Sequence, residues 1–300
     1  MDASVQTVTC AVTGANGYVG RTIVRHLAGA GFSVIPLQRL RSEQTALPSC
    51  KKGYLPARHY ALQEEISPDL FQDVHVLVHC AYDFSVLTWP EIETVNVQAT
   101  LKLFEAARQA GVRRLVFISS LSAFAGCRSN YGRAKLAIEQ RAKALELIIV
   151  RPGLVYGGPD AGGMMGALKR ALSLPAPLLP MVGTGRQPML LVHEDDLGQL
   201  LVTLCREPHV PIARPIMAAN EQVWQFRDIL RSLARQAHRN VLFVPLSWRL
   251  IWCVLKTAER LGLRLRLRSD SLMGLMNQNP SPDFSATREI GVPFRNFPCH

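Results

Sequence analysis

No stretch of this 300-residue chain reaches the ~20 uninterrupted apolar residues that a membrane-spanning helix needs, although 48% of its residues are hydrophobic. Its seven cysteines (10, 50, 80, 127, 205, 253 and 299) are odd in number and form no CxxC pair. That excludes a zinc-ribbon pattern, argues against a disulfide framework, and suits reduced thiols in a cytoplasm. The eight histidines show no HExxH or comparable spacing, so no metal site is expected. The opening residues MDASVQTVTC lack a basic region followed by a long apolar run, and no secretory leader is expected. Aromatic residues are only 7% of the chain and are not interleaved with basic ones, as they are in RNA-binding sheets, so nucleic acid is not an expected partner. There is no internal repeat and no low-complexity segment.

What the chain does have is positive charge and a rhythm. The net charge is +11, with much of the excess in Arg39, Arg41, Lys51, Lys52 and the RLRLR stretch at 264–268. Most of it reads as solvated basic surface; the remainder favours a small anionic ligand, and peripheral contact with an anionic membrane stays open. The rhythm is an alternation of apolar strand-like runs (8–12, 33–37, 74–81, 113–120, 147–152, and a faint one within 54–62) with amphipathic helical stretches (19–30, 91–111, 131–145). Strands that are apolar throughout, separated by helices, predict a parallel sheet covered on both faces.

After Gly157-Gly158-Pro159 the rhythm changes. Residues 158–188 are rich in Gly, Pro, Met and Leu and show little periodic order; a helix is expected at 195–206, and helical patterning returns beyond 220. In 247–262, Trp248, Ile251, Trp252 and Leu255 share a stripe, with Arg249, Lys256 and Arg260 elsewhere. The stripe reads as core packing, with interfacial docking as the alternative. The expected organisation is a dinucleotide-binding domain over 1–157 and a smaller substrate lobe over 158–300.

Two constellations carry chemistry. The first is Gly14-Ala15-Asn16-Gly17-Tyr18-Val19-Gly20, between a strand and a helix. Glycines there let backbone N–H groups reach a pyrophosphate, and the helix N-terminus favours negative charge. The second is Tyr131 and Lys135, four apart and therefore on one helical face. An ammonium nearby, with the charge of an oxidised nicotinamide, would lower a phenol's pKa from ~10 towards working pH. Ser120 stands at the end of a predicted parallel strand, where such sheets place ligands.

These segments resemble, in order along the first two-thirds of the chain, the extended short-chain dehydrogenases/reductases, the NAD(P)-dependent epimerase/dehydratase family. The matching stretches are TGANGYVG (13–20), HCAY (79–82), TVNVQAT (94–100), FISSLSAFA (117–125), YGRAK (131–135), RPGLVYG (151–157) and LVHEDDL (191–197). The resemblance implies a Rossmann-type, doubly wound α/β fold. It implies that Gly14, Asn16, Gly17, Tyr18, Val19, Arg39, Cys80, Ala81, Tyr82, Asn96, Pro152, Leu154 and Val155, with Tyr131 and Lys135, surround the cofactor. It makes Tyr131 the acid/base, Lys135 the residue that binds the nicotinamide ribose and tunes Tyr131, and Ser120 the substrate-binding serine. Tyr82, Ser122 and Arg186 are the further substrate candidates.

Four features depart from the pattern. Gln38 stands where NAD-preferring members carry an acid, and Arg39 follows it; this favours a 2′-phosphate, hence NADP, with NAD still possible. Pro36 lies inside a predicted strand. Only ten residues separate Ser120 from Tyr131, so a segment over the substrate is shortened. Met189 occupies the position, four before His193, where many nucleotide-sugar enzymes have an arginine. The expected function is NADP-dependent hydride transfer at a secondary alcohol or ketone, first of a nucleotide-linked sugar and alternatively of a non-nucleotide carbonyl compound. A non-catalytic NADP-binding subunit is the third reading, and a homodimer is possible.

Overall fold

All five residues of β1 (Thr9–Thr13) are buried, as a strand with neighbours on both edges and helices on both faces must be. The computed structural model describes residues 7–39, 53–158, 161–207, 214–263 and 267–298; Arg41, Lys51, Lys52, Pro159 and 264–266 of the basic stretch lie outside the described residues. The chain leaves β1 through Gly14, at φ +65°, into α1 (Tyr18–Gly29) and returns as β2 (Ser33–Gln38) and β3 (Arg58–His59). It then crosses to the other edge of β1 as β4 (Val76–His79). A long helix follows: α2 (Trp89–Ile92), a π-helical turn (Glu93–Gln98) and α3 (Ala99–Gln109), with helical backbone at both junctions. The first half ends with β5 (Arg114–Ile118), α4 (Asn130–Arg141) and β6 (Ile148–Pro152).

Every pairing in the central sheet is parallel. Its seven strands run β11-β6-β5-β4-β1-β2-β3, where β11 is Ile216–Ala218. The order reverses between β1 and β4, which opens a crevice at their carboxyl ends. One core cluster packs α1 against one face of the sheet, and a second packs α3 and α4 against the other. The doubly wound α/β fold expected from the sequence is the fold found.

After β6 come β7 (Leu154–Tyr156), α5 (Gly163–Ser173), β8 (Leu178–Val182), β9 (Pro188–Met189), β10 (Leu191–His193) and α6 (Glu194–Arg206). Helix α6 packs on α1 and β11 pairs with β6, so this stretch completes the sheet layer. The remainder is β12 (Trp224–Gln225), α7 (Phe226–Gln236), β13 (Leu242–Leu246), α8 (Trp248–Arg260), α9 (Ser269–Met276) and α10 (Ser285–Ile290). Of these, β12, α7, β13 and α9 build with α5, β8 and β9 around a separate apolar cluster that includes Met165, Leu179, Ile229 and Phe297. Helix α8 packs on α9, and α10 returns to β11 and the core of the sheet. The lack of periodicity in 158–188 concealed α5 and β8.

Pro36 is accommodated by the geometry of its edge. The Val34 N–H points outward to the Gly53 carbonyl, so the position two residues on faces the same way. There β3 pairs only from Leu37 onward, and no ladder bond is lost for want of a donor.

Within the sheet, Thr13 and His79 form a buried knot. The Thr13 hydroxyl oxygen accepts from the Cys80 and Ala81 N–H groups (3.1 and 3.2 Å) and lies 2.8 Å from His79 Nδ1. Two accepted bonds leave the Thr13 proton for Nδ1, so His79 carries its own proton on Nε2 and donates it to Thr100 (3.0 Å). Burial, and Lys135 beside it, hold the His79 pKa well below 6.5. The sign follows: below pH 6.5 the unfolded chain binds a proton here that the folded chain refuses, so stability falls with pH. The expected slope is up to ~1.4 kcal/mol per pH unit for one proton. Urea unfolding between pH 6.5 and 5 should show it, and His79→Gln should flatten it; an unchanged slope in the variant rules out His79 as its source.

Candidate active site

The turn after β1 is built for close approach. A Cβ on Gly14 would sit 2.9 Å from the Ala81 nitrogen, and one on Gly20 would collide with the Gly14 carbonyl. The strand end, the first turn of α1 and the end of β4 are thereby pressed together. Gly17 caps α1 with no side-chain acceptor, and no acidic residue stands in the helix's first turn. Its leading N–H groups are therefore left for an external acceptor, and the helix dipole favours an anion there. These features fit a dinucleotide's pyrophosphate, for which the backbone of Gly14, Asn16, Gly17, Tyr18 and Val19 is the candidate cradle. At the end of β2, Gln38 is buried and Arg39 exposed.

The segment after β4 forms the next wall. Asn96, buried in the π-helical turn, accepts from the Asp83 N–H (2.7 Å) and donates to the Asp83 carbonyl (3.1 Å). Its role is thus to pin the loop that follows Cys80 and Ala81. That loop presents Tyr82 edge-on to Tyr131 at 4.9 Å between centroids and stacks Phe84 on the same ring at 5.6 Å. Pro152 accepts from the Leu121 N–H (3.1 Å), while Leu154 and Val155 pair with β10.

Tyr131 and Lys135 share one face of α4, as their spacing predicted. The Lys135 ammonium, buried, donates to the Ile118 carbonyl (2.8 Å) and lies 4.6 Å over the Phe117 ring and 5.9 Å from that of Tyr131. Burial lowers its pKa to about 8 against the opposing pull of Cys80 and Glu139. Burial likewise pushes the Tyr131 phenol up to about 12, opposed by its hydrogen bond with Ser120. The lowering expected from Lys135 is therefore not present in the chain alone. Ser120 Oγ also accepts from the Ser122 N–H (3.1 Å). Ser120, Ser122, Tyr82, Tyr131 and Lys135 are thus brought together. Arg186 is not: it is exposed between β8 and β9, and no hydrogen bond or ion pair ties it to the others. A cavity of about 330 Å³ beyond Gly157, lined among others by Lys169, His193 and Arg295, includes none of the three candidate catalytic residues.

The supports of α4 come from residues to which the sequence reading assigned no role. Glu139 is gripped by Arg151 of β6 through two bonds and accepts from Ser119 (2.5 Å). Gly132 admits the Ser122 carbonyl where a Cβ would collide with it. At the helix start, Ser129 accepts from the Gly132 N–H (3.1 Å), and Asp270 of α9 accepts from the N–H groups of Asn130 (2.6 Å) and Tyr131 (3.1 Å). The short segment before α4 is joined to α9 again by the bond from the Arg128 N–H to Asn277 (2.9 Å).

A glycine turn at the reversal point of a parallel sheet, beside a Tyr–Lys helix and a strand-end serine, defines a dinucleotide-binding protein of the Rossmann class. The chain belongs to the NAD dependent epimerase/dehydratase family, whose model matches residues 10–214; the family is NAD-dependent. It is 32% identical over 201 residues to a ceramide reductase of Caulobacter vibrioides, covering 66% of this chain. It is 28% identical over 205 residues to a UDP-glucose 4-epimerase of Vibrio cholerae, covering 59% of this chain. The chain spans 61% of the length of each. In fold it is similar to the UDP-glucuronic acid 4-epimerase of Bacillus cereus solved with NAD: TM-score 0.68, 16% identity, 94% of this chain and 99% of that one.

Replacing Asp270 by Ala should remove two charge-assisted bonds from the start of α4. The expected cost is ~1–2 kcal/mol of stability, with turnover reduced because Tyr131 is the residue released, and cofactor affinity kept. Urea unfolding and a cofactor titration test this; a loss of cofactor affinity equal to the loss of turnover would contradict it.

Proposed function

We propose that the chain is an NAD(P)-dependent oxidoreductase acting on a secondary alcohol or ketone of a predominantly apolar, non-nucleotide compound. The observation that carries the chemistry is the Tyr131 hydroxyl bonded to Ser120, with the Lys135 ammonium on the same helical face. The dinucleotide, when bound, supplies or accepts the hydride. Ser120 would hold the substrate oxygen while Tyr131 gives it a proton on reduction. A phenol held up at about 12 keeps that proton at neutral pH, which suits a donor. Lys135 would hold the ribose and pull the phenol down once the nicotinamide charge adds to its own.

The substrate class is supported by what surrounds the phenol. Phe84, 55% exposed, stacks on Tyr131. Met189, at the position where many nucleotide-sugar enzymes have an arginine, is buried in an apolar cluster, and Arg186 is tied to none of the site residues. The similarity to a ceramide reductase points the same way. The second reading, a nucleotide-linked sugar, is favoured by the similarity to UDP-glucose 4-epimerases and by the net charge. We further propose a division of labour in which residues 1–157, completed by α6 and β11, hold the dinucleotide and the rest shapes the substrate site. Turnover against lipid-like ketones beside UDP- and dTDP-linked sugars separates the two substrate readings; turnover of the sugars alone overturns the first.

Tyr131→Phe should cut turnover by ~10²-fold or more, the usual weight of general acid–base catalysis, with cofactor affinity nearly intact. Single-turnover assays beside cofactor titration check it, and wild-type turnover would remove Tyr131 from the chemistry. For the cofactor, Arg39 at the end of β2 favours NADPH over NADH. Arg39→Asp should shift the preference towards NADH by ~1–3 kcal/mol, the range for a charge-assisted bond. Titration of both cofactors decides it: an unchanged ratio means Arg39 does not meet the 2′-phosphate.

A further inference from the structure

The two-stranded parallel ribbon of β8 and β13 turns one face to the core and leaves the other bare. Leu179, Met181 and Phe243 pack inward. The register sets Leu242 beside Leu178 and Val244 beside Pro180, and these alternate positions face outward, Leu242 being 65% exposed. A sheet face made only of apolar residues is not what a solvated surface carries.

Helix α8 follows β13 across a single residue, Ser247, and continues the pattern. Leu255 and Ala258 are buried, while Leu250, Val254 and Leu261 are exposed, Leu261 at 71%. These three fall on one line of the helix, at i, i+4 and i+11. Arg249, Lys256 and Arg260, at i, i+7 and i+11, form a second line about a third of a turn away. Trp248 and Trp252, two of the chain's four tryptophans, sit half-buried on the same helix. The sequence reading of Trp248, Ile251, Trp252 and Leu255 as a core stripe thus holds in full only for Leu255; a different stripe stays bare.

Charge decides the occupant. From 235 to 268 the sequence has eight arginines and lysines against one acid, Glu259. That acid is largely buried, its side chain 11% exposed, and it pairs with Lys256 (3.6 Å) while accepting from the N–H and hydroxyl of Ser269 (2.8 and 2.7 Å). This leaves Arg249 and Arg260 as the exposed cations of the helix. A second copy of the chain docked symmetrically here would set this cationic stretch against itself. An anionic lipid surface accepts both halves of the pattern, apolar side chains into the headgroup boundary and cations onto the phosphates.

We propose that the β8–β13 ribbon and α8 form a docking surface for an anionic lipid bilayer, lying on the interface without crossing it. No helix among the described residues is long and apolar enough to cross a membrane. The proposal does not rest on the substrate reading, because binding is measured without substrate or turnover.

The test is cosedimentation of the full chain with vesicles of equimolar phosphatidylcholine and phosphatidylglycerol, beside vesicles of phosphatidylcholine alone. Binding to the anionic vesicles is expected, weakened by salt and accompanied by a blue shift of tryptophan emission. The paired variants Leu250→Ser with Val254→Ser, and Arg249→Gln with Arg260→Gln, should each lower partitioning by on the order of tenfold or more. All four positions face outward on α8, so thermal unfolding, which checks that the variants fold, should match the wild type. A chain that stays in solution with anionic vesicles, or binds neutral ones equally well, overturns the proposal. So does a dimer in sedimentation that the serine variant dissolves, since the face would then be a contact between copies.

Discussion

The Thr13 hydroxyl uses every hydrogen-bonding capacity it has: two accepted bonds from the backbone at Cys80 and Ala81, and one donated to His79. Those bonds fix the carboxyl end of β1 against that of β4, at the place where the strand order reverses. The missing side chain of Gly14 lets the same two backbones touch, and α1 starts four residues later with no acidic residue in its first turn. On the other side, the loop pinned by Asn96 begins at Ala81 and delivers Tyr82 and Phe84 to the phenol of Tyr131. The candidate cofactor cradle and the proposed substrate wall therefore hang from one buried cluster of polar atoms. Such a cluster is costly if any member loses its partner, because the low-dielectric interior offers no water in exchange.

A second constraint works at the other end of α4. Lys135 is held under the sheet's end by the Ile118 carbonyl, Glu139 by Arg151 and Ser119, and the helix start by Asp270. Three contacts along one helix leave Tyr131 little freedom to turn. The opposed effects on its proton, burial raising and the Ser120 bond lowering, mean that the phenol's acidity depends on what enters the site rather than on the chain alone.

The first half of the fold was legible because its strands are buried on both faces and separated by helices with a clear apolar side; TGANGYVG and YGRAK then located the turn and the Tyr–Lys pair. The second half was not, since β8 and β13 are apolar on both faces and carry no alternation, and α5 starts among glycines. Pro36 looked foreign to a strand until its outward side proved to face an unpaired stretch of the edge. Asp270 left no trace at all: its partners lie 139 and 140 residues away in sequence, and no local pattern announces an acceptor for another helix's backbone. Arg186 stands three residues before Met189 in sequence, and the turn between β8 and β9 leaves it exposed.

The Asp270 cap also bears on how such a chain could be recombined. The residue that closes the first turn of the Tyr131 helix belongs to the α9 segment, not to the sheet layer that supplies the rest of the machinery. A chimera that kept the sheet and exchanged everything after β11 for a relative's segment would leave two amide groups beside Tyr131 without their acceptor. The junction would look clean in topology and still disturb the reacting group. Any transplanted unit that carries α4 therefore has to bring α9 with it.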